Sequence, residues 1–417
     1  MWIASPGAAQ ACVEQEMSQQ SVETGIGKLT ETWQEGHSLP REFYLSPEIY
    51  ERDIERMLLR HWICAGHESS IPTAGDYFLF EMDRESVIVM RGHDGIVRAL
   101  MNVCRHRGSR ICTRESGHAS SGVIACPYHA WVYRTDGSLH GARMMPADFD
   151  KSAHSLAQIE LRIVAGLIFI NFSKGPLGLD AVTETINSSL KVYGWHRARV
   201  IHQERYLIDA NWKLCIENQM ECYHCAPSHR DYSRLHSQAK PGVEESTNRM
   251  LARTREFGID IPIQDHWALQ ARAGQEAGYC RRYAMSGTAV TGSEDGGPVA
   301  PLMGDFPDYD GGTTFVYVGP LSFFIAYTDY GAIFRFIPKR HDQTELIVTW
   351  LVDSKGSGHA RNSTRILRMC PVLFTEGGIG DAEPYLSRRD HRLFTRADPQ
   401  ILLRSREGSS GFCVGSP

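Results

Sequence analysis

Residues 104–131 read CRHRGSRICTRESGHASSGVIACPYHAW, and the fold turns on what the four metal-binding side chains in this stretch are for. Cys104-Arg-His106 and Cys126-Pro-Tyr-His129 are two short Cys/His pairs, separated by residues 107–125 and set among glycines and β-rich runs. Each loop offers one thiolate and one imidazole, a soft and a borderline donor, to a common centre. Four such ligands satisfy a tetrahedral zinc, or a [2Fe–2S] cluster with one iron held by cysteine and the other by histidine. In a chain with 11 Cys and 18 His a single close pair arises by accident, but two pairs this near each other point to a metal.

Outward from this stretch the pattern is that of strands. Tyr77-Phe78-Leu79-Phe80 and Val87-Ile88-Val89-Met90 are short β-rich runs broken by Asp83-Arg84 and Gly92-His93-Asp94-Gly95. The spacing continues through Ile124, Trp131-Val132-Tyr133 and Ile163 to Phe172, which predicts an all-β unit over about 75–165. Before it, Ile49, Ile54, Met57, Leu58 and Trp62 recur at helical spacing and predict one amphipathic helix beginning near Tyr44. Residues 1–38 are polar and irregular and read as a flexible leader.

Downstream, a helix is predicted over Leu179–Tyr193, a strand near Arg205–Ile208 and a polar helix from Asn211 to about His224. Phe315, Tyr317, Phe323, Ile325, Ile333, Phe334, Phe336, Leu346, Val348 and Trp350 alternate with polar neighbours, predicting three or four antiparallel strands. No internal repeat is evident. Gly356-Ser357-Gly358 follows a strand, but Arg361 replaces the third glycine that a dinucleotide-binding loop needs.

Composition bounds the function. The 417 residues are enough for two compact domains, and 42% apolar with 22% charged residues excludes disorder, collagen and coiled coil. With 44 basic against 49 acidic residues there is no cationic excess to neutralise phosphates, so nucleic acid is not an expected partner. The longest apolar stretch, Ile163 to Phe172, is about half of a bilayer crossing, so no membrane association is expected. The N-terminal Glu14, Glu16 and Glu23 do not make a secretory signal, and a cytoplasmic location is expected. In that reducing compartment 11 cysteines favour free thiols and metal ligands over disulfides.

A second constellation lies in Asn211-Trp-Lys-Leu-Cys-Ile-Glu217-Asn-Gln-Met-Glu221-Cys-Tyr-His224-Cys-Ala-Pro-Ser-His229, which is polar where a helix would ordinarily bury an apolar stripe. Glu221 and His224 share a helical face, and Pro227 breaks the helix so that His229 turns back toward the same point. Two imidazoles and a carboxylate on one side of a metal form the facial triad of non-haem Fe(II) oxygenases.

Structural zinc usually takes Cys-x2-Cys knuckles, whereas one Cys and one His from each loop matches a Rieske centre, and both loops resemble the Rieske motif closely. With Asn211-Trp212 and the His224/His229 pair downstream, the chain resembles the α subunit of Rieske non-haem iron oxygenases from about residue 40 to Val352. That resemblance implies an α+β protein, an all-β Rieske domain followed by a helix-grip catalytic domain with an antiparallel sheet. Its expected divisions are a leader, 1–38; the Rieske domain with its N-terminal helix, 39–165; the mononuclear iron domain, 166–353; and a divergent tail, 354–417. It implies that Cys104, His106, Cys126 and His129 hold the [2Fe–2S] cluster, that His224 and His229 bind a mononuclear Fe(II), and that Glu221 is the carboxylate bridging the two centres between subunits of a homotrimer.

Dioxygen, a small-molecule substrate and a separate reductase or ferredoxin carrying electrons from NAD(P)H are the implied partners. Most ring-hydroxylating members have Asp at the bridging position. Glu followed by Cys-Tyr-His-Cys is similar to the branch that oxidises quaternary ammonium compounds such as glycine betaine, stachydrine or carnitine. A trimethylammonium group is recognised by aromatic faces, for which Tyr223, Tyr232, Trp267, Tyr317, Phe323 and Tyr327 are available, although most such residues serve as core. The family's third iron ligand is an Asp on a late helix. After Asp353 the composition changes abruptly, and Asp381, with Glu376 behind it, is the candidate. The competing readings are an aromatic ring-hydroxylating dioxygenase, an electron-transfer protein with an inactive C-terminal domain, and a zinc-binding interaction protein.

Overall fold

The computed structural model describes residues 25–34, 36–220, 224–237, 240–263 and 274–355. Two antiparallel sheets organise it. The first has seven strands in the order β1-β10-β9-β4-β3-β2-β5: β1 Ile63–His67, β2 Asp76–Met82, β3 Glu85–Arg91, β4 Val97–Met101, β5 Ser116–His118, β9 Gln158–Val164 and β10 Leu167–Asn171. A small sheet of β6 Val123–Ala125, β7 Val132–Arg134 and β8 Leu139–Gly141 stands on it. The run Leu167–Asn171 is buried at every residue, so it reads as continuous apolar sequence rather than as alternation.

The second sheet runs β11-β16-β15-β14-β13-β12, with β11 Ala198–Ile208, β12 Gly278–Ala284, β13 Gly312–Val318, β14 Ser322–Ala326, β15 Gly331–Arg340 and β16 Gln343–Asp353. The stretch from Phe315 to Trp350 supplies four of its six strands, β13 to β16, as its alternation indicated, and β11 and β12 complete the sheet. β12 (GYCRRYA) carries two adjacent arginines, and β11 leaves many side chains half-exposed at the sheet edge, so neither shows simple alternation. The predicted short strand near Arg205–Ile208 is the end of the eleven-residue β11.

The helices are α1 (25–32), α2 Glu42–Leu45, α3 Pro47–Arg52, α4 Asp180–Ser189, α5 Trp212–Met220, α6 Cys225–Ser228, α7 Arg230–Leu235 and α8 Val243–Glu256. α1 is a mostly exposed helix inside the stretch expected to be irregular. The single helix expected from Tyr44 is broken. Ser46 adopts extended backbone and caps α3 by accepting from Ile49 N–H, and the chain then passes through a π-helical turn, Asp53–Met57, and a 3-10 turn, Leu58–Arg60. Apolar periodicity survives such breaks, because inserting a residue into one turn moves the buried face by less than its own width.

The two sheets share their cores. Trp62, Phe169, Val182, Trp195, Val316, Phe324 and Leu351 pack in one cluster, and Leu58, Ile63, Ile168, Ile337 and Ile347 in another. The opposite face of the second sheet packs Phe315, Phe323, Phe334, Phe336, Val348 and Trp350 under Cys215, Cys225, Tyr232 and Leu235 of α5, α6 and α7. This is the helix-grip arrangement expected. No helix among the described residues is long and apolar enough to cross a membrane.

Candidate iron centres

The two ligand loops have the same backbone shape. Cys104 N–H donates to Ser109 O and Gly108 N–H to Cys104 O; Cys126 N–H donates to Trp131 O and Ala130 N–H to Cys126 O. The residue four past each cysteine is left-handed, Gly108 at φ 72° and Ala130 at φ 55°, and Ala130 holds this conformation at a strain cost that glycine avoids. Cys-x-His and Cys-x2-His differ in sequence, which hides this internal symmetry.

Cys104 and Cys126 are buried, His106 is half-buried and His129 is exposed. The imidazoles adjoin, with ring centroids 4.5 Å apart, and the Trp131 indole stacks on His106 at 4.9 Å. His106 Nδ1 is buried with no hydrogen-bond partner, an orphan that a metal bond would satisfy. Desolvation, with His129 and Arg107 nearby, holds His106 toward the neutral, ligating form. Among the described residues no three His, Cys, Asp or Glu side chains converge on one point. A structural zinc needs four ligands at one centre, whereas a Rieske cluster takes only two protein ligands per iron. The four residues fit the cluster.

Two residues that the sequence did not mark hold this site. Tyr133 Oη lies 3.3 Å from Cys104 Sγ and accepts from Arg105 N–H at 3.0 Å. Buried Asn102 accepts from Ile111 and Cys112 N–H and donates to Ser86 Oγ and Cys112 O, pinning both ends of the first loop. Four further buried thiols, Cys64, Cys112, Cys215 and Cys280, are held in the neutral form. Burial pushes Cys64 and Cys112 up to about 11, and Cys215 and Cys280 up to about 12.

In the second constellation His224 precedes α6 and His229 follows it, with rings 5.1 Å apart and nearly perpendicular. His229 is buried and His224 half-buried, and Cys225 Sγ lies 4.0 Å from His224 Nε2. The structure thus brings the two predicted imidazoles together. Glu221, Asp381 and Glu376 lie outside the described residues, as do Tyr223 and Trp267. The two histidines suit a mononuclear iron, and the described residues contribute no third ligand to it.

The polarity of α5 has a second cause that the sequence reading missed. Tyr44 Oη donates to both carboxylate oxygens of Glu217 at 2.9 and 3.1 Å, and Lys213 Nζ pairs with Asp53 of the π-helical turn. Asn211 caps α5 by accepting from Lys213 N–H, and its amide donates to His341 O. Tyr317 Oη donates to Gln219 O near the last turn. Together these contacts hold the helix that leads into the His224 segment. Beside its end, a pocket of about 80 Å³ is lined by Ile216, Met220, Tyr279, Tyr317 and Phe323 among others. Tyr317 and Phe323 were among the aromatic candidates; Tyr232 and Tyr327 instead enclose the buried His236, whose Nε2 meets Tyr327 Oη at 2.8 Å.

A Rieske [2Fe–2S] domain model matches residues 61–159, and the model of the ring hydroxylating alpha subunit catalytic domain matches residues 195–370. The chain is 31% identical over 328 residues to the glycine betaine monooxygenase oxygenase subunit of Chromohalobacter salexigens, covering 76% of this chain and 71% of that protein. It is 34% identical over 204 residues to the carnitine monooxygenase oxygenase subunit of Escherichia coli K12, covering 48% of this chain and 54% of that protein. Its fold matches the crystal structure of the apo form of the quaternary ammonium Rieske monooxygenase CntA, with TM-score 0.61 and 22% identity over 85% of this chain and 86% of that one. Naphthalene 1,2-dioxygenase from Rhodococcus sp. matches with TM-score 0.58 and 22% identity over 90% and 86%. Two Cys/His loops joined to a helix-grip sheet with paired imidazoles define an iron-dependent oxygenase of the oxidoreductase class. The chain belongs to the ring-hydroxylating alpha-subunit family of Rieske oxygenases.

Proposed function

We propose that this chain is the oxygenase component of a multicomponent system that oxidises a quaternary ammonium compound. The reading rests most on the 31% identity shared with a glycine betaine monooxygenase oxygenase subunit across 71% of that protein, and the aromatic lining of the pocket beside α5 supports it. One atom of dioxygen enters an N-methyl C–H bond and the other leaves as water, with two electrons and two protons consumed. The hydroxymethyl ammonium product then releases formaldehyde, so the net outcome is N-demethylation. Electrons pass singly from NAD(P)H through a separate reductase or ferredoxin to the cluster, and from there to the mononuclear site of a neighbouring subunit in a homotrimer.

In this assignment Cys104, His106, Cys126 and His129 hold the cluster, and His224, His229 and Asp381 or Glu376 hold the iron. Glu221 bridges a cluster histidine and an iron histidine across the subunit interface. The bound iron supplies dioxygen activation; the chain's own residues orient the imidazoles, exclude water and hold the substrate. The location is cytoplasmic. Residues 39–165 form the Rieske domain, 166–353 the catalytic domain and 354–417 a divergent tail.

Anaerobically purified protein is expected to contain about three irons and two acid-labile sulfides per chain and to release formaldehyde from glycine betaine when an NADH-dependent reductase is added. Full metal loading without formaldehyde would sink the substrate assignment. Two irons with two sulfides would sink the mononuclear site.

A further inference from the structure

Strand β12 carries two adjacent arginines with opposite fates. Arg282 turns to the face covered by α4 and α8, where its guanidinium is fully buried against Asp310 at 2.5 Å and also meets Thr254 and Thr314. Arg281 turns to the other face, because strand residues alternate. The register confirms this: Arg281 lies opposite Phe315, and Tyr279 lies opposite Tyr317. Phe315 and Tyr317 belong to the cluster under α5, α6 and α7, the helices that carry His224 and His229.

Arg281 therefore stands on the sheet face that the iron histidines cover. Its Nε is shut off from solvent and meets no acceptor, and among the described residues it forms no ion pair. Leaving a buried guanidinium N–H unmatched is unfavourable, and an acceptor brought by water or a ligand relieves the cost. Tyr279, two residues back on the same face, begins the aromatic row that lines the pocket: its ring stacks on Tyr317 at 4.6 Å, and Tyr317 stacks on Phe323 at 5.6 Å. A cation-accepting apolar hollow and a half-buried arginine whose Nε is unmatched thus lie about 7 Å apart along one strand.

We propose that Arg281 recognises the carboxylate of a zwitterionic substrate whose trimethylammonium group occupies the Tyr279–Tyr317–Phe323 pocket. This rests on the quaternary ammonium reading above and narrows it to trimethylammonium carboxylates. The guanidinium suits the task because its planar fork meets both carboxylate oxygens, and because the same charge disfavours a bare cation at that end of the site. Arg281 is a specificity residue and takes no part in oxygen transfer.

The test is calorimetric titration of the iron-loaded full chain with glycine betaine and, separately, with tetramethylammonium, which has the cation and no carboxylate. Wild type is expected to prefer glycine betaine, and Arg281→Met to bind it roughly 10- to 100-fold more weakly while its affinity for tetramethylammonium stays level or rises. Arg281→Lys should recover part of the preference. The quantity read is the ratio of the two dissociation constants within each variant, so a partly unfolded preparation does not distort it. In turnover, the loss should fall on KM with kcat largely kept. An Arg281→Met ratio equal to wild type overturns the role of Arg281 and leaves the substrate class standing. Wild type that binds neither ligand overturns the substrate class as well.

Discussion

At the scale of single residues, the candidate ligands stood out in the sequence and their supports did not. Cys104, His106, Cys126, His129, His224 and His229 stand out because ligand spacing is local in sequence, and the structure brings His106 to His129 and His224 to His229. Tyr133 is 29 residues from Cys104, and nothing in its own neighbourhood distinguishes it from a core tyrosine. A hydrogen bond to a cluster sulfur stabilises the reduced, more negative state. If that bond contributes about 1 kcal/mol, Tyr133→Phe should lower the cluster potential by roughly 40 mV for a one-electron couple. Protein-film voltammetry checks this, and an unchanged potential would show that the Oη–Sγ contact carries no charge-state preference. Arg282 makes a different kind of residue-scale prediction. Its replacement by Met leaves Asp310 buried and unpaired, and the expected cost is about 3–5 kcal/mol of stability, read from denaturant midpoints.

At the scale of elements, α5 is the informative case. Its polar sequence reads as a functional segment, but the polarity of Lys213 and Glu217 answers to Asp53 and Tyr44 in the N-terminal segment. Burial pushes the Glu217 carboxyl up and the Lys213 amine down, so each depends on its partner. Tyr44→Phe removes the hydroxyl that serves both Glu217 oxygens and should destabilise the fold by about 1–2 kcal/mol. If the N-terminal segment positions α5, the same variant should also lower turnover while leaving the Rieske absorbance intact. His224→Ala tests the division between the centres: iron should fall by about one per chain with the cluster spectrum preserved, and loss of that spectrum would contradict separate sites. The broken helix at 42–60 and the edge strands β11 and β12 were misread for one shared reason. Each is shaped by tertiary partners that periodicity does not encode.

At the scale of the whole molecule, a few polar clasps supplement the apolar cores that the two sheets share. His61 Nδ1 lies 3.0 Å from both Glu276 oxygens, and Glu276 also accepts from Trp62 N–H at 2.9 Å. Gly319 stands against the same junction with φ 60°, where a Cβ would meet Trp62 O at 2.9 Å. The Glu276 hydrogen bond raises the His61 pKa above its ordinary value. Because the folded value is the higher one, this contribution to stability is fully present below the unfolded pKa of about 6.5. It is lost as pH rises through the folded value. The stability difference between wild type and His61→Gln should therefore shrink from mildly acidic to alkaline pH, and a difference that widens would reverse the assignment. The sequence made the two-part architecture legible because each part has its own chemistry. This junction was not legible, since its residues lie 215 positions apart.

The clasps on α5 also order events in time. Tyr44 and Glu217 are 173 residues apart, and Asp53 and Lys213 160. The first sheet, by contrast, is complete once Asn171 has been made. On a chain synthesised from its N-terminus, the cluster-bearing unit has every strand it needs while α5 is still unmade. Tyr44 and Asp53 must then wait, partnerless, until their helix emerges. Closure of the N-terminal segment over α5 therefore cannot precede synthesis of Glu217, whatever part of the first sheet has already formed.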